Sequence, residues 1–307
     1  MVEYLEVSIG GRKASVRLAA VTFVTGRGKS AFLEVLYKVL SNVGKKIPRI
    51  GGEWELYVQS NDVAYSIAVS KNRIRQTVSI RGEEVVFEHM PSRGVHRVVK
   101  PINIAVSSAD VVVPEIKTEE HVSLVAEEDI ERLNSLLAEA RRTLSVDALF
   151  LGPYIAPRSL VDASTTHVAK LDSHGRNLAA VLANLALYKP STYDSIRAAF
   201  RKLGFSISVG LAKPGKLGVI VTTKKRKMPL AKAPCSIRSL LTILTALHLE
   251  PDILLVDNLD YCLTPETAGV LVSTIKQKPV KLIAEIHNSD IAKWFDTVDK
   301  SIIKVEL

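Results

Sequence analysis

Cysteine is nearly missing from this 307-residue chain, which carries only Cys235 and Cys262. Each lies in or beside an apolar segment, which suits small buried thiols in a reducing compartment better than a framework of bridges, and neither has a zinc-type spacing. No apolar run reaches the roughly 20 residues that cross a bilayer. The opening MVEYLEVSIGGRK has no basic-then-apolar order of a secretory signal. A cytoplasmic protein with no membrane partner is therefore expected. Sustained heptads are missing too, so no long coiled-coil arm is expected, and no internal repeat is visible. Glutamine is scarce while Val, Ile, Lys, Arg and Glu abound, a composition that leans towards a thermophilic source.

Hydrophobic residues make up 47% and charged residues 24% of the chain, enough for one large domain or two small ones with substantial cores. The formal charge of +9 is unevenly spread. Lys224, Lys225, Arg226 and Lys227 form a basic run, while Glu115, Glu119, Glu120, Glu127, Glu128 and Glu131 crowd an acidic stretch. The basic run allows contact with DNA. It equally suits a solvated turn, because no aromatic residues interleave it as a stacking surface requires.

The most telling stretch is AAVTFVTGRGKSAFLEVL, from Ala19 to Leu36. It joins an apolar run, the turn Gly26-Arg27-Gly28-Lys29-Ser30, and a helix-patterned segment. In a loop of the form GxxxxGK(S/T), a strand turns into a helix whose first N–H groups and Lys cradle nucleotide phosphates, while the hydroxyl holds Mg²⁺. Gly28, Lys29 and Ser30 are in place. Five residues before Gly28 stands Phe23. Either Phe23 replaces the first glycine, or Gly26 is that glycine and the loop is three residues short. Val21, Phe23 and Val24 continue a β-rich run, so the shortened loop is expected, with Gly26 supplying the permissive backbone of the turn.

Val2–Ile9 and Ala14–Leu18 alternate like a hairpin leading into that strand. Between Trp54 and Phe87 short alternating strands separated by Asn, Gly and Lys turns predict an antiparallel subdomain. Glu127–Leu144 places Ile130, Leu133, Leu136, Leu137, Ala140 and Leu144 on one helical face. Asn177–Tyr188 and Tyr193–Leu203 are helix-patterned around Pro190, and Ser206–Val209 with Leu217–Thr222 reads as a hairpin. The last third alternates Ser236–Leu249, Ile253–Val256, Thr267–Gln277 and Val280–Ile286 as helix, strand, helix, strand, the order of a parallel α/β sheet.

A strand ending in Asp257, in a chain whose earlier strand ends in GKS, suits the second half of a P-loop NTPase, where that Asp orders the Mg²⁺ shell. The stretch PDILLVDNLDYCLTPETAGVLVSTI followed by KLIAEIHNSDIAKWFD resembles the Walker B, D-loop and switch-histidine region of ABC-type ATPases. The subgroup it resembles is the soluble one of RecF, SMC-like heads and the AAA-type ATPases of that clade. The resemblance aligns Asp257 with the Walker B Asp, Asp260 with the second acid of a DEPE pattern, Pro265 with its proline, and His287 with the histidine thought to sense the γ-phosphate. It also covers LGPYIAPRSL, LDSHGRNLAAVLANL and, at the signature helix, APCSIRSLLTILTAL.

The departures from the family pattern are concentrated on phosphate handling. The acid after the Walker B Asp is Asn258, and an amide cannot act as a general base. The signature serine and glycine are replaced by Pro234 and Ser236, and Pro234 has no backbone N–H to donate. Asp260 could stand in for the missing acid, although in the family pattern it sits in the turn beyond it. The other histidines, His89, His96, His121, His167, His174 and His248, show no ligand spacing.

The expected fold is α/β, a P-loop NTPase of ABC-ATPase type with a mostly parallel sheet, an antiparallel β part within 1–125, an inserted helical lobe at 126–204 and a Walker B part at 205–307. The resemblance implies ATP and Mg²⁺ as ligands. Gly26, Arg27, Gly28, Lys29 and Ser30 would bind nucleotide, Ser30 and Asp257 the metal, and Asp257, Asp260 and His287 would act on the γ-phosphate. It implies a homodimer, or a heterodimer with a more intact ATPase subunit, in DNA repair or chromosome maintenance. Two other readings stay open: a scaffold that binds no nucleotide, and a kinase using the same turn without the usual lid arginines.

Overall fold

Turn residues at close intervals fold the N-terminal part into hairpins in the computed structural model, which describes residues 2–117, 126–163 and 167–306. Glu119, Glu120 and His121 lie outside the described residues. The chain divides into two units, the first comprising 1–19, 24–147 and 301–307, the second 20–23 and 148–300.

The first unit contains β1 (Tyr4–Ile9), β2 (Arg12–Arg17), most of β3 (Val21–Arg27), α1 (Lys29–Leu40), β4 (Trp54–Ser60), β5 (Val63–Val69), β6 (Ile74–Ile80), β7 (Glu83–Met90), β8 (Val95–Lys100), β9 (Ile104–Ala105) and α2 (Glu127–Leu144). Eight strands form an antiparallel sheet in the order β2-β1-β4-β5-β6-β7-β8-β9. Alternation puts Trp54, Leu56, Val58, Tyr65, Ile67 and Val78 inside. Leu133, Leu137, Ala140 and Leu144 form the buried stripe of α2.

One polar residue in this core is fully used. Gln76, 1% exposed, donates to the carbonyls of Ala109 (3.0 Å) and Val111 (2.9 Å). Its Oε1 accepts from the Tyr65 hydroxyl (2.7 Å) and the Val113 N–H (3.2 Å), so all four hydrogen-bonding positions of the amide are filled. Burial holds the Tyr65 hydroxyl well above the usual tyrosine range.

The second unit contains β10 (Ala148–Leu151), β11 (Val161–Asp162), α3 (Leu178–Tyr188), α4 (Pro190–Lys202), β12 (Ser206–Lys213), β13 (Lys216–Thr222), β14 (Lys227–Pro229), α5 (Cys235–His248), β15 (Ile253–Val256), α6 (Pro265–Ile275) and β16 (Lys281–Glu285). Strands β10, β15 and β16 are parallel neighbours, with the start of β3 beyond β16. All four residues of β15 are buried, as a strand covered on both faces requires. A small antiparallel sheet sets β13 between β12 on one side and β11 and β14 on the other. The last strand, β17 (Lys300–Glu306), lies almost wholly in the first unit, where the Thr25 hydroxyl donates to the Ile303 carbonyl at 3.1 Å.

Residues 126–204, expected as one helical lobe, are divided. Helix α2 belongs to the first unit, whereas α3, α4 and the short strands β10 and β11 belong to the second. Pro190, expected to separate two helices, opens α4 as its first residue, where a missing N–H costs nothing.

The expectation of two separate thiols is overturned, because Cys235 and Cys262 form a disulfide with Cα atoms 5.6 Å apart. Helix α5 runs about 20 Å at its usual rise. The turn into buried β15 reverses the chain, so the loop after β15 returns to the start of α5. The argument from reduced thiols to a reducing compartment falls with the pairing. Among the described residues no helix is long and apolar enough to cross a membrane.

His248, near the end of α5, is buried and its Nδ1–H donates to the Leu244 carbonyl at 3.1 Å. Burial, then Lys278 nearby, holds its pKa below the ordinary histidine value of 6.5. Below that value the unfolded chain takes up a proton that the folded chain refuses, so stability should fall as pH drops through about 6.5. Urea midpoints at pH 7.5 and 5.5 should differ more in the wild type than in His248→Gln. Equal shifts would exclude His248 as the source.

Candidate nucleotide site

Gly26, Arg27, Gly28, Lys29 and Ser30, expected to hold phosphate, lie in the first unit. Strand β3 continues through Gly26 and Arg27, and Gly28 alone makes the turn, at φ 80 in the left-handed region, before α1 begins at Lys29. The turn is therefore even tighter than the shortened loop expected. Gly26 lies at φ 95 inside the strand, and a Cβ built on it would run into the Val305 carbonyl. Its positive φ is the permissive backbone expected of it, although the chain turns at Gly28, and its smallness also serves strand packing.

Gly26, Arg27, Gly28 and Ser30 are exposed. The Lys29 ammonium folds back to the Gly26 carbonyl at 2.9 Å. No side chain caps α1, a 12-residue helix whose first turn holds no acid. A helix N-terminus carrying Lys and Ser suits an anion, through its N–H groups and its partial positive charge. Phe23 does not fill this turn. In the second unit it is fully buried, edge-on to Phe295 with ring centroids 5.1 Å apart.

The second unit holds Asp257, Asp260 and His287. Asp257 directly follows β15, is 3% exposed, and donates its N–H to the Leu151 carbonyl at 2.9 Å. Asn258 follows at φ 61, a left-handed position that asparagine tolerates better than most side chains. The turn brings Asp260 beside the end of β16. There its Oδ2 accepts the N–H groups of His287 (2.6 Å) and Asn288 (2.9 Å), and its Oδ1 lies 3.4 Å from His287 Nδ1. Asp260 is thus engaged in holding the His287 turn.

Sequence reasoning passed over Glu285. This acid ends β16, its side chain is 5% exposed, and its Oε1 lies 3.4 Å from His287 Nε2. Its backbone carbonyl accepts the Leu259 N–H at 2.9 Å, tying the two loops together. The imidazole therefore sits between two carboxylates, Asp260 on one nitrogen and Glu285 on the other. The available signal was an acid placed two residues before His287, in a strand otherwise read as apolar. Among the described residues no group of three or more His, Cys, Asp or Glu side chains is arranged to hold a metal ion.

Where the resemblance places the signature, Pro234 is the N-cap residue of α5, and Cys235, its first residue, is bonded to Cys262. Lys224, Lys225, Arg226 and Lys227 form the exposed turn between β13 and β14, braced by the Thr223 hydroxyl, which accepts from the N–H groups of Lys225 and Arg226.

No protein-family model matches the sequence, and no curated protein matches it. Three of the solved structures to which this chain is similar are SMC head domains. One, a SmcHead bound to the C-winged helix domain of ScpA, is 13% identical with a TM-score of 0.49, covering 100% of this chain and 94% of that one. The SMC head domain from Thermotoga maritima is 11% identical, TM-score 0.44, over 96% and 92% of the two chains. An Smc head domain with an extended coiled coil, bound to the C-terminal domain of ScpA derived from Pyrococcus furiosus, is 10% identical, TM-score 0.44, over 99% and 92%.

Proposed function

We propose that this chain is an ABC-type ATPase head that binds nucleotide as a conformational ligand and hydrolyses it slowly or not at all. One observation carries the proposal: the Lys29 ammonium folds over the end of β3, beside a left-handed Gly28 that opens a long, acid-free helix start. That arrangement suits a phosphate group. Ser30 and Asp257, hard oxygen donors, are the residues the sequence assigns to Mg²⁺, which when bound would neutralise phosphate charge. Asn258 in place of a carboxylate leaves no base there to activate water. Asp260 and Glu285 act as positioning residues for His287. A signature segment opening with Pro234 and a bonded Cys235 has little to offer a partner's nucleotide, which favours pairing with a more intact subunit. DNA contact through Lys224–Lys227 and a role in chromosome maintenance or repair belong to the same proposal.

A scaffold reading has one observation of its own, the one-residue turn with Gly26 given over to packing. Titration calorimetry separates the two. Saturable binding of Mg-ATP is expected, weakened roughly 10- to 100-fold in Lys29→Ala by loss of a charged hydrogen bond, with little phosphate release. An absence of heat in the wild type would leave the scaffold. Fast turnover would refute the role given to Asn258.

A further inference from the structure

The second unit carries a polar hollow of about 520 Å³ unrelated to the phosphate loop. Arg158, Arg176 and Lys216 line it, with His174, Ser173 and Asn177. The backbone assembles it. Two irregular segments run side by side through bonds from Gly152 N–H to Ser173 O (2.6 Å), Ala156 N–H to His174 O (2.9 Å) and Arg158 N–H to Arg176 O (3.4 Å). The last of these sets the two arginines next to each other.

Two carboxylates share the hollow, and both are engaged. Asp172 accepts the N–H groups of His174 (2.9 Å), Arg176 (3.0 Å) and Asn177 (3.0 Å), which shapes the turn. Asp162 pairs with Lys216, which holds its carboxyl below the usual range, with Arg158 adding a smaller pull. Two arginines and Lys216 thus share the hollow with two carboxylates, one of them already accepting three backbone N–H groups. Two arginines lining one hollow offer planar forks that match phosphate oxygens.

The surroundings narrow the anion. Asn177, the N-cap residue of the 11-residue helix α3, also lines the hollow, its side chain held by the Asp172 N–H and the Lys170 carbonyl. His174 Nδ1 lies 3.3 Å from the Tyr154 carbonyl, which can only accept, so Nδ1 carries the hydrogen. Tyr154, whose carbonyl meets this lining histidine, is 66% exposed. Cations with an adjacent exposed ring are what a nucleotide phosphate and its base require.

We propose that this hollow binds a phosphate ester of a nucleotide unit, with Arg158 and Arg176 on the phosphate and Tyr154 stacking on the base. The site stands independently of the phosphate loop and of the nucleotide reading given to it.

Fluorescence anisotropy with a labelled 20-mer of oligo-dT tests it. Arg158→Ala/Arg176→Ala should weaken binding at least tenfold and reduce the slope of log affinity against log salt by about 1.4, two phosphates at the single-strand value. Asp162→Asn, at a highly exposed side chain, should tighten binding severalfold, so the proposal does not hang on a variant that folds poorly. Lys29→Ala should bind the oligonucleotide as the wild type does, which separates this site from the loop. Affinity rising with oligonucleotide length identifies a strand as the source of the phosphate. Equal competition by dTMP at every length identifies a free nucleotide. Binding by the double arginine variant within twofold of wild type, or no tightening in Asp162→Asn, overturns the proposal.

Discussion

Opening the Cys235–Cys262 bond is expected to lower the thermal midpoint by roughly 7–14 °C. The two cysteines are 27 residues apart in sequence. Cross-linking a loop of that size removes about 3.5 kcal/mol of chain entropy from the unfolded state. A unit of this size loses roughly 2–4 °C per kcal/mol. The bond staples the first residue of α5 to the turn that carries Asp260, so the effect should extend to the His287 loop. Hydrogen exchange at His287 and Asn288, whose N–H groups are held by Asp260, should quicken on reduction. Two checks are direct. Alkylation in denaturant without reductant should leave both cysteines unlabelled, and Cys235→Ser/Cys262→Ser should melt like the reduced wild type. Full labelling of untreated protein, with an unchanged midpoint on adding reductant, would defeat the expectation.

The bond was invisible in the sequence because pairing depends on where α5 and β15 send the chain, and spacing along the chain does not report that. The elements themselves were legible. Buried β15 reads as four apolar residues, α2 as a 3.6-residue stripe, and β4 to β7 as alternations punctuated by turn residues. What failed was local inference about groups whose partners are distant. Gln76 looks like a surface residue of a strand, yet it saturates four partners up to 37 residues away. Glu285 looks like the hydrophilic end of a strand, yet its side chain is buried against His287. In both cases a polar side chain is inside because tertiary pairing satisfies it, and no window of sequence contains that information.

Asp260 shows the same limit from the other side. The sequence aligned it with a family acid and left open whether it could replace the one missing at Asn258. Its carboxylate already serves two N–H groups, and its side chain is only 10% exposed. A carboxylate so engaged is poorly placed to take a proton from water, because doing so would weaken the bonds that hold the turn. On the function proposed above, Asp260 therefore does not stand in for a base at Asn258, and little phosphate release is the expected result.

Gly26→Ala should cost about 4 kcal/mol or more, far beyond a typical surface change. Two penalties act together. At φ 95 an L side chain is strained whatever surrounds it, and the new Cβ would meet the Val305 backbone. Gly82→Ala separates them, since Gly82 has a similar φ of 86 and no atom within 4 Å of its Cβ position. That control should lose only about 1–2 kcal/mol. Urea unfolding of both variants measures the difference, which reports the closeness of β3 to β17. Equal losses would mean that β17 yields and that the strand packing does not demand glycine. The comparison also separates two roles for Gly26. Were it only a phosphate-loop glycine, Gly26→Ala would lose no more stability than Gly82→Ala and would lose Mg-ATP. A packing glycine predicts the reverse order, with stability failing first, and leaves Gly28, Lys29 and Ser30 as the part of the turn that meets a phosphate.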